Sequence, residues 1–457
     1  MYDVISYSKG GRILHMLRKY VGDEAFYASL NYYLESHKFS SVEIHDLRLA
    51  FEKITGEDLN WFFNEWYLNH GKPSLKIDYA WNDSLKKETV TIAQTQNLQK
   101  NPLYKIPLLV DIYYEGKVDR KKIVIEKMKE DFSFSLSSQP DLVNVDAEKM
   151  LLCTKQDNKT KEEFIFQYYH APLYLDRYEA LMKIGDTYTV GSRDAKLVSD
   201  ALNDKFWNIR NIAIKNIGAL AKEDKQRVQQ KLIAMSLVDD NSHVRAAAMK
   251  AIAKNYPNDT LAPIFENALN DSSYLVMTTA FKIICDKDVA KGLMLAKQLE
   301  GQNDINISTA VATFYAQQGN VENNDFLIAT LAKAKGFDKY TLISTYEKYL
   351  AKIEDSKAIQ AGIAQLVDLG RKGTSRFTRS ASVKALGDLT IEFNDRIAKA
   401  QKQIEEMRTS GAAADTILIE ESKLEKIKRQ RDELKASVDD IKKNEKDKRL
   451  LKTYQEN

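Results

Sequence analysis

Cysteine is nearly absent from this chain of 457 residues, and the two present, Cys153 and Cys285, lie far apart. That excludes a disulfide framework and a cage of metal-binding thiolates, and it leaves the compartment open. No apolar run is long enough to span a bilayer, so no integral membrane segment is expected. Charge of one sign is lacking too: 68 Lys and Arg against 65 Asp and Glu, interleaved along most of the length, leave a net charge of +3. A nucleic-acid binder would concentrate a basic face, so no nucleic-acid partner is expected. The first residues show neither a charged nor an apolar targeting segment. None of the six histidines is followed by Glu and no two stand four positions apart, so a His-Glu-x-x-His metal helix is missing.

What is there is globular composition, 44% hydrophobic and 29% charged, on a length that suggests about three domains. Ile13, Leu14, Leu17 and Val21 recur at helical spacing, and Gly22 stops that helix. Asp23 opens a second, with Phe26, Leu30, Tyr33 and Leu34 on its apolar face. Ser40 with Glu43 reads as a capping box for a third helix that ends near Ile54. A fourth is expected from about Leu59 to His70, where the spacing of Trp61, Phe62, Trp66 and Tyr67 favours core packing over a substrate pocket. Gly71 and Pro73 close it.

Four strings in this stretch occur in a fixed order: Tyr7-Ser8-Lys9-Gly10, Gly22 to Phe26, Thr55 to Trp66, and Gly71-Lys72-Pro73. Together they resemble the aminopeptidase-N-like zinc metallopeptidases, the gluzincins of peptidase family M1. The resemblance implies that Tyr7 donates its phenol proton to the oxyanion that develops on a substrate carbonyl. A phenol suits that task, because a pKa of about 10 keeps it protonated without adding charge beside a metal. It also makes Tyr2, five positions earlier, a candidate substrate-binding residue. The family's metal helix, its downstream Glu and its Gly-x-Met-Glu-Asn segment all precede Tyr-x-Lys-Gly. The expectation is therefore a C-terminal portion of a longer parent with a truncated catalytic domain. Zinc would belong to the full-length parent, with none bound by this chain, and peptide hydrolysis would be missing from the chain alone.

From Leu75 the period changes to two, with Leu75, Ile77, Tyr79 and Trp81 alternating with polar residues. Further strands are expected at Thr89 to Ala93, Ile106 to Tyr114, Lys122 to Ile125, Phe132 to Leu136 and Leu142 to Val145, making a small β-sandwich. Beyond about Tyr168 the chain becomes helical and repeats itself. Arg177, Arg210 and Arg245 are 33 and 35 residues apart, and the run from Arg210 to Leu220 matches that from Arg379 to Leu389. This period resembles HEAT repeats, which bury their apolar sides by stacking. The arginines read as structural, bonding neighbouring repeats through the Asp that precedes each. Within the same region Gly373 to Arg379 resembles a stretch of leukotriene hydrolase, an M1 enzyme, that carries carboxylate-binding basic residues. Thr374 departs from it at one basic position, which leaves Arg376 as a candidate substrate-binding residue.

Phe393, Ile397, Ala400, Ile404 and Met407 form one apolar seam, Ser410-Gly411 breaks it, and Leu424, Ile427, Arg431, Leu434, Val438 and Ile441 form a second. A helical hairpin is the modest reading, self-association through 391–457 the sharper one. The sequence thus predicts a multidomain, mainly α protein. Residues 1–72 are the helical end of a thermolysin-like catalytic domain, 73–160 a β-sandwich, 165–390 a HEAT-like α-solenoid and 391–457 a helical hairpin or coiled-coil tail. The functional expectation is part of a zinc-dependent aminopeptidase; the alternative is a HEAT-repeat scaffold or adaptor without catalysis.

Overall fold

In the computed structural model of the chain, residues 5–185, 188–189, 191–257 and 259–456 are described. The protein is mostly helical and divides into two compact units, Met1–Lys225 and Gln226–Asn457. Among the described residues no helix is long and apolar enough to cross a membrane.

The first unit opens with a single π-helical turn, Ile5–Lys9, that runs directly into α1 (Gly10–Val21). Helices α2 (Asp23–Ser36), α3 (Ile44–Thr55) and α4 (Asn60–Trp66) follow. Two expectations are corrected here. The start of α3 is tied by Asp46, whose carboxylate accepts the Glu43 N–H at 2.7 Å, while the Ser40 hydroxyl donates to the His37 carbonyl in the preceding turn. α4 stops short of His70, because the N–H groups of Tyr67 and Leu68 both converge on the Phe63 carbonyl and the chain unwinds. At Gly71 the backbone takes φ +84°, and a Cβ there would fall 1.7 Å from the Asn101 side-chain oxygen, so glycine is needed for both conformation and space.

Seven strands come next: β1 (Ser74–Asn82), β2 (Lys87–Gln94), β3 (Ile106–Tyr114), β4 (Lys117–Ile125), β5 (Lys129–Ser135), β6 (Leu142–Val145) and β7 (Thr154–Asp157). They form a four-stranded sheet in the order β5-β2-β1-β7 and a three-stranded sheet in the order β4-β3-β6. β1 and β2 pair antiparallel with Ile77 opposite Ile92 and Tyr79 opposite Val90; β7 joins β1 in parallel. β3 and β4 meet through Glu115-Gly116, both at positive φ, the two-residue turn that matches strand twist. Alternation puts Ile77, Val90, Ile92, Leu108, Val110 and Ile112 into one core with Leu17, Phe51, Phe62 and Trp66 from the helices. The aromatic residues of α4 are therefore core, as their spacing indicated: Phe62, Phe63 and Trp66 are buried, and the Trp66 ring lies 4.8 Å from that of Tyr104.

The unit continues with α5 (Lys161–His170), α6 (Tyr174–Ile184), α7 (Arg193–Ala201), α8 (Trp207–Lys215) and α9 (Gly218–Glu223). Thr160 caps α5 reciprocally with Glu163. Arg177 on α6 donates to Asp204, in the turn before α8, at 2.8 and 3.3 Å.

The second unit is helical among its described residues. It runs through α10 (Lys225–Val238), α11 (Ser242–Asn255), α12 (Ala262–Ala268), α13 (Tyr274–Lys287), α14 (Val289–Leu299) and α15 (Ile305–Gln318). Then come α16 (Asn324–Lys333), α17 (Gly336–Leu350), α18 (Ser356–Lys372), α19 (Arg376–Thr409), α20 (Ala414–Asn444) and α21 (Lys448–Glu456). Side-chain caps start many of these helices: Asp288 accepts from Lys291, Asp304 from Asn306 and Asp355 from Ala358.

Arg245 on α11 repeats the pattern of Arg177, donating to both oxygens of Asp271 at 2.9 and 2.7 Å. Its other nitrogen caps the carbonyl of Asp239, six positions back, and Arg379 does the same to Gly373. The expected bond between neighbouring repeats is seen at Arg177, whose partner Asp204 is the Asp that precedes Arg210. The preceding residue offers its backbone carbonyl, and the carboxylate comes from the next turn downstream. Beyond Ser410-Gly411 the chain reverses, so that Arg431 meets Asn394 and Arg379 meets Glu445. Both apolar seams are occupied inside the unit: Ile397 and Ile404 pack with Leu424, while Leu434 and Ile441 join the main core.

Candidate functional site

Tyr7 sits on the π-helical turn, and the residue is 65% exposed. Such a turn holds one residue more than an α-turn, which redirects a side chain without breaking the helix, and it recurs at functional sites. The helix that carries Tyr7 is firmly seated. Ile13, Met16 and Leu17 are buried in the first unit's core, and Lys19 pairs with Glu148 at 2.6 Å. Arg12 reaches the backbone carbonyls of Lys149 and Leu151.

The segment that receives Arg12 is itself fixed from beneath. Asp146 and Lys149 adopt positive φ, and the Asp146 carboxylate accepts the N–H groups of Met150 and Leu151 at 3.0 and 3.2 Å. The Lys149 ammonium turns inward, donates to Asn144 at 2.8 Å and lies 3.2 Å from Asp176 and 2.8 Å from Glu179 on α6. Lys155 also reaches Glu179, at 2.8 Å, and Lys159 reaches Asp157 and Gln167, each at 2.9 Å. Three ammonium groups and three carboxylates thus balance in a buried layer. Burial alone would push the Glu179 carboxyl up, but Lys155 and Lys149 overcome it and hold the group at about 2. Burial pulls Lys159 down to about 8 against the attraction of Asp157. A path of direct bonds therefore runs from α1 through Arg12 and Lys149 to α6. Sequence reading missed Arg12 and Lys149, since neither stands in a motif; a Lys directly before an apolar run, Met150 to Cys153, was the available signal.

Of the other residues singled out in the sequence, Tyr2 lies outside the described residues. Arg376 belongs to the second unit, in the first turn of α19, with its guanidinium 5.0 Å from the Phe377 ring centre. Among the described residues it has no carboxylate partner, whereas Arg379 is engaged by Glu445 at 3.0 Å. The chemistry that a metal would bring is not provided for by the described residues. Among them no group of three or more His, Cys, Asp or Glu side chains could hold a metal ion, and His15, on α1, is surrounded by Arg12, Lys19 and Arg18. Cys153 and Cys285 are both free thiols, each raised by burial, to about 11 and about 12.

Residues 1–66 match the model of the peptidase family M1 domain. Probable aminopeptidase 1 of Sulfurisphaera tokodaii is 25% identical over 350 residues, covering 74% of this chain and 39% of that protein. The chain is similar to the M1 aminopeptidases, most directly over residues 1–66. Aminopeptidase N of Lactococcus lactis is 33% identical to this M1-like chain over 104 residues, 23% of the chain and 12% of the relative. The crystal structure of Legionella pneumophila aminopeptidase A in complex with aspartic acid shares its fold with a TM-score of 0.59, at 14% identity, over 93% of the chain and 57% of that structure. The M1-like chain therefore spans well under two thirds of the relatives it matches, and zinc is the metal the family uses.

Proposed function

We propose that these 457 residues form the C-terminal portion of a zinc-dependent aminopeptidase, that removal of amino-terminal residues from peptides belongs to the assembled protein, and that this chain alone does not perform it. The observation that carries the reading is the M1 match over residues 1–66, which includes Tyr7 and its helix, in a sequence without a His-Glu-x-x-His helix. Tyr7 supplies the hydrogen bond to the developing oxyanion, and Arg376, whose guanidinium has no carboxylate partner among the described residues, takes a substrate carboxylate. Arg12 and the segment 146–151 hold the Tyr7 helix in place. In this reading residues 1–72 close the catalytic domain, 73–160 are a β-sandwich spacer, 165–390 a HEAT-like solenoid and 391–457 a hairpin tail. Arginine–carboxylate pairs such as Arg177–Asp204 and Arg245–Asp271, each joining a helix to the turn that follows later in the chain, support the solenoid.

The test pairs the purified chain with a chimera in which the metal-bearing part of an M1 relative, up to its own Tyr-x-Lys-Gly, precedes residue 1. With zinc and leucine p-nitroanilide the chain alone should release no nitroaniline above the blank, and the chimera should turn over. Turnover by the chain alone would overturn the inactivity, and a folded, zinc-loaded chimera without turnover would favour the scaffold alternative.

A further inference from the structure

In the second unit α11, α13 and α15 pack in succession and leave a groove of about 720 Å³. Its floor is apolar: Phe281 and Phe314 are buried beneath it, edge to face, with ring centres 5.7 Å apart. Its rim is cationic. Lys250 and Lys254 stand one turn apart on α11, and Lys282 joins them from α13. Among the described residues none of these three ammonium groups has a carboxylate partner, and Asp286 is the only acid in the described lining. Elsewhere in the unit, exposed lysines do find acids, as Lys297 finds Glu300 at 2.9 Å, Lys372 finds Asp368 and Lys384 finds Asp388, each at 2.6 Å. Like charges one helical turn apart cost a helix about 0.2–0.5 kcal/mol, so an unrelieved cluster over an apolar floor is complementary to a ligand that brings acid and hydrocarbon together.

We propose that this groove binds an acidic peptide segment, with side-chain carboxylates on Lys250, Lys254 and Lys282 and an apolar side chain against Ala253, Leu275 and Ala310 of the floor. A compact ammonium suits a carboxylate, and the lining holds no arginine fork for phosphate. The two phenylalanines are buried and engaged with each other, which leaves no exposed ring face on which a nucleobase could stack. The hydroxyls of Thr278 and Thr313 along the groove donate to the Tyr274 and Thr309 carbonyls of their own helices, which leaves lone pairs to accept a peptide N–H. This binding needs no metal, so it stands or falls apart from the aminopeptidase reading.

The experiment follows the fluorescence anisotropy of a labelled peptide of repeating Glu-Leu-Glu-Ala on the full chain, beside its Gln-Leu-Gln-Ala counterpart and labelled oligothymidylate. The acidic peptide should bind at least about tenfold more tightly than the Gln peptide, and added salt should weaken it. Lys250→Glu with Lys282→Glu should reduce affinity at least about tenfold, whereas Lys250→Arg with Lys282→Arg, or Lys357→Glu on α18, should leave it within about twofold. Lys250 and Lys282 lie in the groove rim and Lys357 outside it, and all of these lysines are exposed, so folding checked by circular dichroism should be retained. Equal affinity for the Glu and Gln peptides, an unchanged affinity in the charge-reversed variant, or tighter binding of oligothymidylate would each overturn the proposal.

Discussion

A single carboxyl shows how strongly position decides chemistry in this protein. Glu88 on β2 is buried, and burial together with the facing Glu163 pushes it up to about 7, against the backbone N–H of Ala80 that pulls it down. Its ordinary value is 4.5, so the folded chain holds a proton that the unfolded chain releases. The stability it contributes is complete below pH 4.5 and is lost as pH rises through about 7. Glu88→Gln should therefore be more stable than the parent chain at pH 8, with the difference closing by pH 4.5. Tryptophan fluorescence during urea unfolding can measure this, because Trp61, Trp66, Trp81 and Trp207 all lie in the first unit. A difference that is the same at both pH values would refute it. Tyr7 could be singled out from its string, because Tyr-x-Lys-Gly keeps its neighbours in sequence. Lys149 was not, because the acids that receive it are supplied by a helix that begins 25 residues later, at Tyr174.

Elements differ in how clearly the sequence announces them, and the difference follows burial. β6 has all four residues buried and was read at its observed bounds, Leu142–Val145. β7 (Thr-Lys-Gln-Asp) has no apolar residue to alternate and was invisible, and the first half of β4, the exposed run from Lys117, was hidden in the same way. Helix ends failed where hydrogen bonding outside the pattern decides them, as at Ser40 and after Trp66. Charged residues tie these elements together. Lys149→Met would leave Asp176 buried without its ammonium partner and should destabilise the first unit by about 3–5 kcal/mol, read by tryptophan fluorescence in urea. Arg245→Met removes a two-point bond to Asp271 and the cap on Asp239, and should cost about 2–3 kcal/mol. Hydrogen exchange in α11 and α13 reports that loss, and unchanged protection would show the pair to be dispensable.

At the scale of the whole molecule, two compact units carry different halves of the account. The first holds the Tyr7 helix against its sheets through Arg12 and the buried ionic layer; the second holds Arg376 and the cationic groove. The resemblance to the M1 aminopeptidases was legible because its strings are short-range and fall within the first 73 residues. The seams of the tail were legible as well, though their periodicity could not say whether the partner lay in the same chain. Leu434 and Ile441 settle in the core of their own unit, and Ile397 and Ile404 pack with Leu424. The most direct test of the central claim compares the chimera with its Tyr7→Phe variant, measuring kcat and bound zinc together. Loss of the phenol donor should lower kcat by about 100- to 1,000-fold while zinc content stays the same. An unchanged kcat, with zinc in place, would contradict the account.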